Sequence, residues 1–302
     1  MDFIITEDCS LKNEILKINK NAVLFLEDFP ERQDSVKKVV VTDSNFNNYQ
    51  DSIQEYSYEI DNCSGLTNNS AAVVIHGLNA DNKHEQHIYI RGDIFYSFCT
   101  YFLGQGFFEL ISTQLGNKHA SQFKKCAIIA YKLVLHEIGH TVDYERLYKS
   151  YGYLPPHRKA YFLPRELNEY AEYEMMTIWS DYFSERFAYS LICEATPPLK
   201  DDIFELLHDT DSNGVVEDAG KTFRLLYWFA LYIAYYHNKN EDILLSVDDK
   251  YNRTLSLLLT IADTLSELYV NKDLWDFEAV IANLGSLFIE LYNSQYVNSE
   301  FD

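Results

Sequence analysis

Basic residues are scarce in this chain: 25 Lys and Arg stand against 46 Asp and Glu, a formal charge of −21 over 302 residues. Such an excess repels phosphate backbones and argues against nucleic acid as a partner. Acids on a solvated surface otherwise speak only for solubility. Cysteine is sparse as well. Cys9, Cys63, Cys99, Cys126 and Cys193 are odd in number, far apart and without a CxxC spacing, so neither a disulfide framework nor a zinc ribbon is expected. They read as reduced thiols of a cytoplasmic protein. An export signal is also missing, because MDFIITEDCSLKNE carries acids where such a signal has bases ahead of an apolar run. No apolar run suits a membrane. The oiliest, FRLLYWFALYIAYY from Phe223 to Tyr236, holds Arg224 and four tyrosines. It falls short of the roughly 20 residues a span needs and is read as a buried helix.

What is present is ample apolar material, 47% of the chain, with 24 Tyr and 19 Phe. A disordered chain is thereby excluded. Up to about residue 100, short β-like runs alternate with polar turns: KKVVVTD (Lys37 to Asp43), AAVVIHG (Ala71 to Gly77) and HIYIRGD (His87 to Asp93). The Asn- and Asp-rich LNADNKHEQ between the last two reads as a hairpin turn. Helical periodicity dominates from Phe95 onward. It predicts a long helix over about 121–150, a second over about 165–194 after the prolines at 155, 156 and 164, and three more over about 220–237, 253–270 and 274–294. The expected fold is α+β: an N-terminal α/β subdomain over 1–118, active-site helices over 119–196 and a helical C-terminal region over 197–302.

Within the long helix the stretch YKLVLHEIGHTVDY, Tyr131 to Tyr144, sets an acid between two histidines in oily surroundings. Desolvating an unpaired carboxylate costs several kcal/mol, so Glu137 requires a cation, a metal or a set of hydrogen bonds. His136 and His140 are four apart, which places both rings on one helix face within reach of one ion. Glu137 projects beside that face, where it can accept the proton of a water activated by Zn²⁺. Gly139 leaves room for a neighbouring backbone.

A third ligand is sought on the second helix, in IWSDYFSERFAYSL (Ile178 to Leu191). Asp181, 41 residues past His140, and Glu185 are i and i+4, and Thr177, Ser184 and Ala188 on the same stripe are small enough for close helix approach. One acid of the pair can complete a three-ligand site with an open fourth position while the other bonds the far nitrogen of a ligating histidine. Glu169, Glu172 and Glu174 are expected in an exposed first turn, where acids suit the helix dipole.

HEIGH followed some forty residues later by DYFSERFA resembles the zincin metallopeptidases of the gluzincin kind and related bacterial HExxH domains, over about 60 residues. The resemblance implies that His136 and His140 bind zinc, that Glu137 is the general base, that Asp181 is the third ligand and that Glu185 stands behind the site. Asp181 departs from the family's glutamate by one methylene, which requires closer helices or Glu185 in its place. The family also uses an edge strand antiparallel to the bound peptide, a place that HIYIRGD would fill by strand addition. A Tyr or His commonly stabilises the oxyanion, for which Tyr173 is named ahead of Tyr170 and His157. The implied activity is hydrolysis of a peptide or protein substrate. The alternative is a non-catalytic zinc-binding sensory or interaction module, in which a fourth protein ligand would close the site.

One further stretch, DTDSNGVVED (Asp209 to Asp218), begins like an EF-hand loop with Asp209, Asp211, Asn213 and Gly214. Gly220 stands where the closing bidentate Glu belongs, so the stretch is read as a polar connector between helices.

Overall fold

Four strands and ten helices are found among the described residues of the computed structural model, namely 1–29, 34–43, 71–153, 167–192, 201–208, 215–239, 241, 243 and 251–296. The chain divides into two compact units, Met1–Tyr161 and Phe162–Asp302. That division coincides with the proline-bearing stretch at 155–164 rather than with the expected edges at 118 and 196. The two helices expected to share a block therefore belong to different units. The α+β class, the small mixed sheet and the helical C-terminal region are as expected.

The first unit holds β1 (Asp2–Ile5), α1 (Lys12–Ile18), α2 (Lys20–Asp28), β2 (Val36–Thr42), β3 (Ala72–Leu78), β4 (His84–Arg91), α3 (Gly92–Tyr101), α4 (Gly104–Leu115) and α5 (Asn117–Tyr151). The sheet runs β1-β2-β4-β3, with β1, β2 and β4 parallel and β3 antiparallel to β4. The β3–β4 hairpin turns at Asn79, whose Oδ1 accepts the Asp81 and Lys83 backbone N–H groups at 2.9 and 3.0 Å. Asn82 takes the left-handed conformation, φ 57°, that asparagine tolerates.

One expectation is corrected here. The run HIYIR lies in β4, which is hydrogen-bonded on both sides, and the terminal antiparallel strand is β3. Alternation marks a strand, but only pairing decides its place, and β2 crosses over to lie beside β4. Gly92 and Asp93 of the same run already begin α3. Two short helices, α1 and α2, also occupy a region where only strands and turns are expected.

Register fixes what faces the helices. His76 is opposite Gln86 and Leu78 opposite His84, so His76, His84, Gln86, Ile88 and Ile90 share one face. On that face Gln86 Nε2 donates to the Thr141 carbonyl of α5 at 2.9 Å. Phe3, on the same face by its pairing with Val39, brings its ring within 5.2 Å of Phe95 in α3. Both helices therefore cover this side of the sheet. Tyr131 of α5 joins Phe25, Phe98 and Phe102 in an aromatic cluster that knits α2, α3 and α5 together. At 35 residues α5 is about 50 Å long. Gly152 closes it in the left-handed conformation, φ 64°.

The second unit is helical among the described residues: α6 (Leu167–Leu191), α7 (Asp201–His208), α8 (Val215–Lys239), α9 (Asn252–Val270) and α10 (Phe277–Tyr296). α6 packs along α8 and α10 and buries residues on every side, which explains why its sequence shows no clean polar face. Trp179 is fully buried and meets Trp275 at 4.7 Å. Close approach of α10 depends on Gly285, where a Cβ would stand 2.7 Å from Glu172 Cγ and 3.3 Å from its backbone nitrogen. α6 is further tied to α8 and α9 by a polar chain. Arg186 Nη1 donates to the Tyr182 hydroxyl at 2.7 Å and to Ser266 Oγ at 3.2 Å, and the Tyr182 hydroxyl meets His237 Nδ1 at 2.8 Å.

No helix among the described residues is long and apolar enough to cross a membrane.

Candidate metal centre

α5 presents His136, Glu137 and His140 from one helical turn, and each is held differently. His136 is half-buried, Glu137 is buried and His140 is buried. The four-residue spacing brings the two imidazoles to 4.7 Å between ring centroids, with His136 Nε2 and His140 Nε2 3.1 Å apart. Two nitrogens each about 2.0–2.1 Å from one ion at a tetrahedral angle stand about 3.3 Å apart, so the pair fits a shared zinc. Burial, with His136 as the second cause, holds the His140 pKa well below the ordinary histidine value. The neutral ring then keeps a lone pair, as a metal ligand must.

Behind His140 lies a set of residues that the motif alone does not reveal. His76 and His84, from the hairpin, are buried, and both face α5. His84 Nδ1 lies 2.7 Å from Glu145 Oε2. Burial lowers the His84 pKa despite Glu145, whereas bonds from Lys149, Ser35 and His84 outweigh burial and lower that of Glu145. The pair is therefore a neutral imidazole donating its Nδ1–H to a carboxylate, a charge-assisted bond. Tyr144 and Tyr148 continue the stripe of His136 and His140 along α5. A polar residue on the inward face of an apolar strand, as His76 is in AVVIHGL, is the sequence signal that could have pointed here.

The second unit carries the acids. Asp181 is half-buried on α6 and Glu185 is buried, with Ser184 and Ala188 fully buried beside them. Glu185 bonds the hydroxyl of Tyr189 one turn on; burial first, then this carboxylate, raises the Tyr189 pKa. The early part of α6 differs from expectation at one position: Glu169 and Glu172 are exposed, but Glu174 is 2% exposed. The helix is packed all round there, so the periodicity that would mark a solvated face is lost. Tyr173 is half-buried and two turns before Asp181, about 12 Å along the axis. Tyr170 packs its ring against Phe288 of α10 at 5.9 Å, and His157 lies outside the described residues.

Asp209, Asp211, Asn213 and Gly214 also lie outside the described residues. α7 and α8 flank that stretch, and Glu217 and Asp218 fall in the first turn of α8, where acids suit the helix dipole. Of the cysteines described, Cys9 and Cys99 are buried free thiols and Cys126 is an exposed one.

No protein family, curated protein or solved structure matches the chain. The reading of the site therefore stands on its residues.

Proposed function

We propose that the chain is a zinc-dependent metallopeptidase with a zincin-like arrangement, hydrolysing peptide bonds in a peptide or protein substrate. The observation that carries the reading is the 3.1 Å separation of the two imidazole nitrogens on α5 beside a buried carboxylate, Glu137. The ligand set of this proposal is His136, His140 and Asp181, the set that the resemblance implies. Three protein ligands leave the fourth position open, which is the catalytic rather than the structural pattern for zinc.

When bound, zinc supplies a Lewis acid for the scissile carbonyl and lowers the pKa of water toward about 7. Glu137 takes the proton of the attacking water and passes it to the leaving amine. Glu185, bonded to Tyr189 one turn on within α6, is the acid assigned to support the ligands rather than to bind the ion. Tyr173 is the residue assigned to the oxyanion. An extended substrate binds along the outer edge of β3, the antiparallel strand at the end of the sheet. The assigned compartment is the cytoplasm, consistent with buried free thiols at Cys9 and Cys99.

Elemental analysis of the purified protein, paired with a proteomic cleavage screen, tests this reading. Wild type is expected to carry one zinc and to cleave. Glu137→Gln should keep the metal and lose turnover by about 10²–10⁴-fold, the usual contribution of a general base. Asp181→Ala should lose the metal, and stoichiometric zinc in that variant would move the third ligand elsewhere. Zinc without any cleavage would favour the sensory or interaction module, and wild type without zinc would remove the site altogether.

A further inference from the structure

α5 carries aromatic rings at four-residue intervals from the proposed ligands onward: His136, His140, Tyr144 and Tyr148. The hairpin inserts two imidazoles against this stripe. The Tyr144 ring lies 5.5 Å from that of His140 at 28° and 4.2 Å from that of His76 at 30°, both stacked. His76 in turn meets the edge of His84 at 5.7 Å and 88°, and His84 lies 5.0 Å from Tyr148. The far end of the column is anchored by the bond between His84 and Glu145, and Glu145 accepts from Lys149 at 2.8 Å. On the sheet side, the register is fixed by Gln86, which donates to Thr141 and to Ser35 Oγ.

We infer that Tyr144, stacked against the imidazoles of both His140 and His76, is a positioning residue that sets the ring orientation of His140 for metal binding. This rests on the proposed metal site. A ligating histidine must hold its ring plane so that the nitrogen lone pair points at the ion, and that orientation is commonly fixed by a hydrogen bond to the far ring nitrogen. The flat face of Tyr144 works toward the same end. Rotation of His140 about its Cβ–Cγ bond breaks its near-parallel stacking on the Tyr144 ring, and Tyr144 is held in turn by its closer stacking on His76 of β3. The orientation so enforced is the one that brings His140 Nε2 to 3.1 Å from His136 Nε2. His76 belongs to β3, so the stacking also ties the terminal strand of the sheet to the proposed ligand.

The inference separates an aromatic face from mere volume. Tyr144→Phe keeps the face and Tyr144→Leu keeps comparable bulk without it. Zinc affinity is measured by chelator competition on the full-length protein, and ligand geometry by the visible spectrum of the cobalt(II)-substituted form. Tyr144→Phe should bind zinc within about twofold of wild type, with the same cobalt spectrum. Tyr144→Leu should bind about tenfold or more weakly, as loss of a ligand-orienting partner commonly does, with an altered spectrum. Equal affinity and an unchanged spectrum in the leucine variant would overturn the inference while leaving the metal site intact. A wild type that binds no zinc would remove the site and this inference together. If the leucine variant does not fold, proton NMR of metal-free wild type decides: ring protons of His140 should be shifted upfield by the Tyr144 face, and unshifted resonances would overturn the inference.

Discussion

Away from the proposed ligands the first unit holds a buried histidine and the second a half-buried one, and the two have neighbours of opposite charge. In the first unit His84 is lodged against the Glu145 carboxylate, which counteracts the effect of burial. In the second, His237 accepts from the Tyr182 hydroxyl, whose oxygen is bonded by the Arg186 guanidinium. Burial first and Arg186 second push the His237 pKa down to about 4, with exposed Asp263 acting weakly the other way. The same side chain thus has a neighbour that welcomes a proton in one unit and one that rejects it in the other. Acid should therefore trouble the second unit more, whereas loss of the partner should trouble the first unit more.

The largest effect is expected from removing that partner. Glu145→Ala leaves the His84 Nδ1–H buried without an acceptor, and the side chains of both residues are almost fully enclosed, 2% and 9% exposed. Leaving one member of a buried hydrogen-bonded pair uncompensated typically costs about 2–3 kcal/mol. Denaturant unfolding should show that loss in the first unit. Lys149 adds little to it, because its ammonium is 66% exposed and returns to water. Stability within a few tenths of a kcal/mol of wild type would mean that the His84–Glu145 bond contributes nothing and that the contrast between the units is false.

The residues involved explain what could be read in advance. The burial of Glu137 within HEIGH was legible because an acid in an oily helix is a local contradiction, visible without knowing what packs against it. Helices α5, α8, α9 and α10 were legible for a related reason, since each carries a long run whose period is its own, and α6 was legible from the proline-bearing stretches that bound it. β3 and β4 were legible as strands, but their rank in the sheet was not, because β2 joins β4 only across a long connection. Glu174 was misread because α6 is buried all round, which removes the contrast between faces on which the expectation depended. Glu145, Tyr144, His76 and Arg186 act through partners 61 residues away in one case and 80 in another, and no local pattern carries that information.

An intermediate effect should follow acidification. His237 has a folded-state pKa of about 4, below its ordinary value near 6.5, so the unfolded chain binds the extra proton first. The contribution of the neutral ring is then fully present above about pH 6.5, falls as the pH drops toward 4, and is gone below. The linkage corresponds to at most about 3 kcal/mol, and solvent screening of a half-buried ring reduces it to about 1–2 kcal/mol. Unfolding followed between pH 7 and 4 should show this limb in wild type. His237→Phe, which cannot take up the proton, should lack it. A limb of equal size in the phenylalanine variant would assign the acid sensitivity to other groups.

The smallest effect isolates the cation. Arg186→Met keeps the aliphatic stem over the Tyr269 ring, where the guanidinium carbon sits 4.2 Å from the centroid, and removes only the charge and the donors. With the guanidinium gone, the His237 pKa should rise, yet stop short of the ordinary value because burial is the larger cause and remains. Tyr182 loses its donor from Arg186 but keeps its own O–H for His237, so the change in stability at neutral pH should stay within about 1 kcal/mol. An NMR titration of His237 in the two proteins measures the shift directly. A pKa unmoved by the substitution would show that burial alone sets it, and the difference between the units would then lie in Glu145 rather than in opposed neighbours.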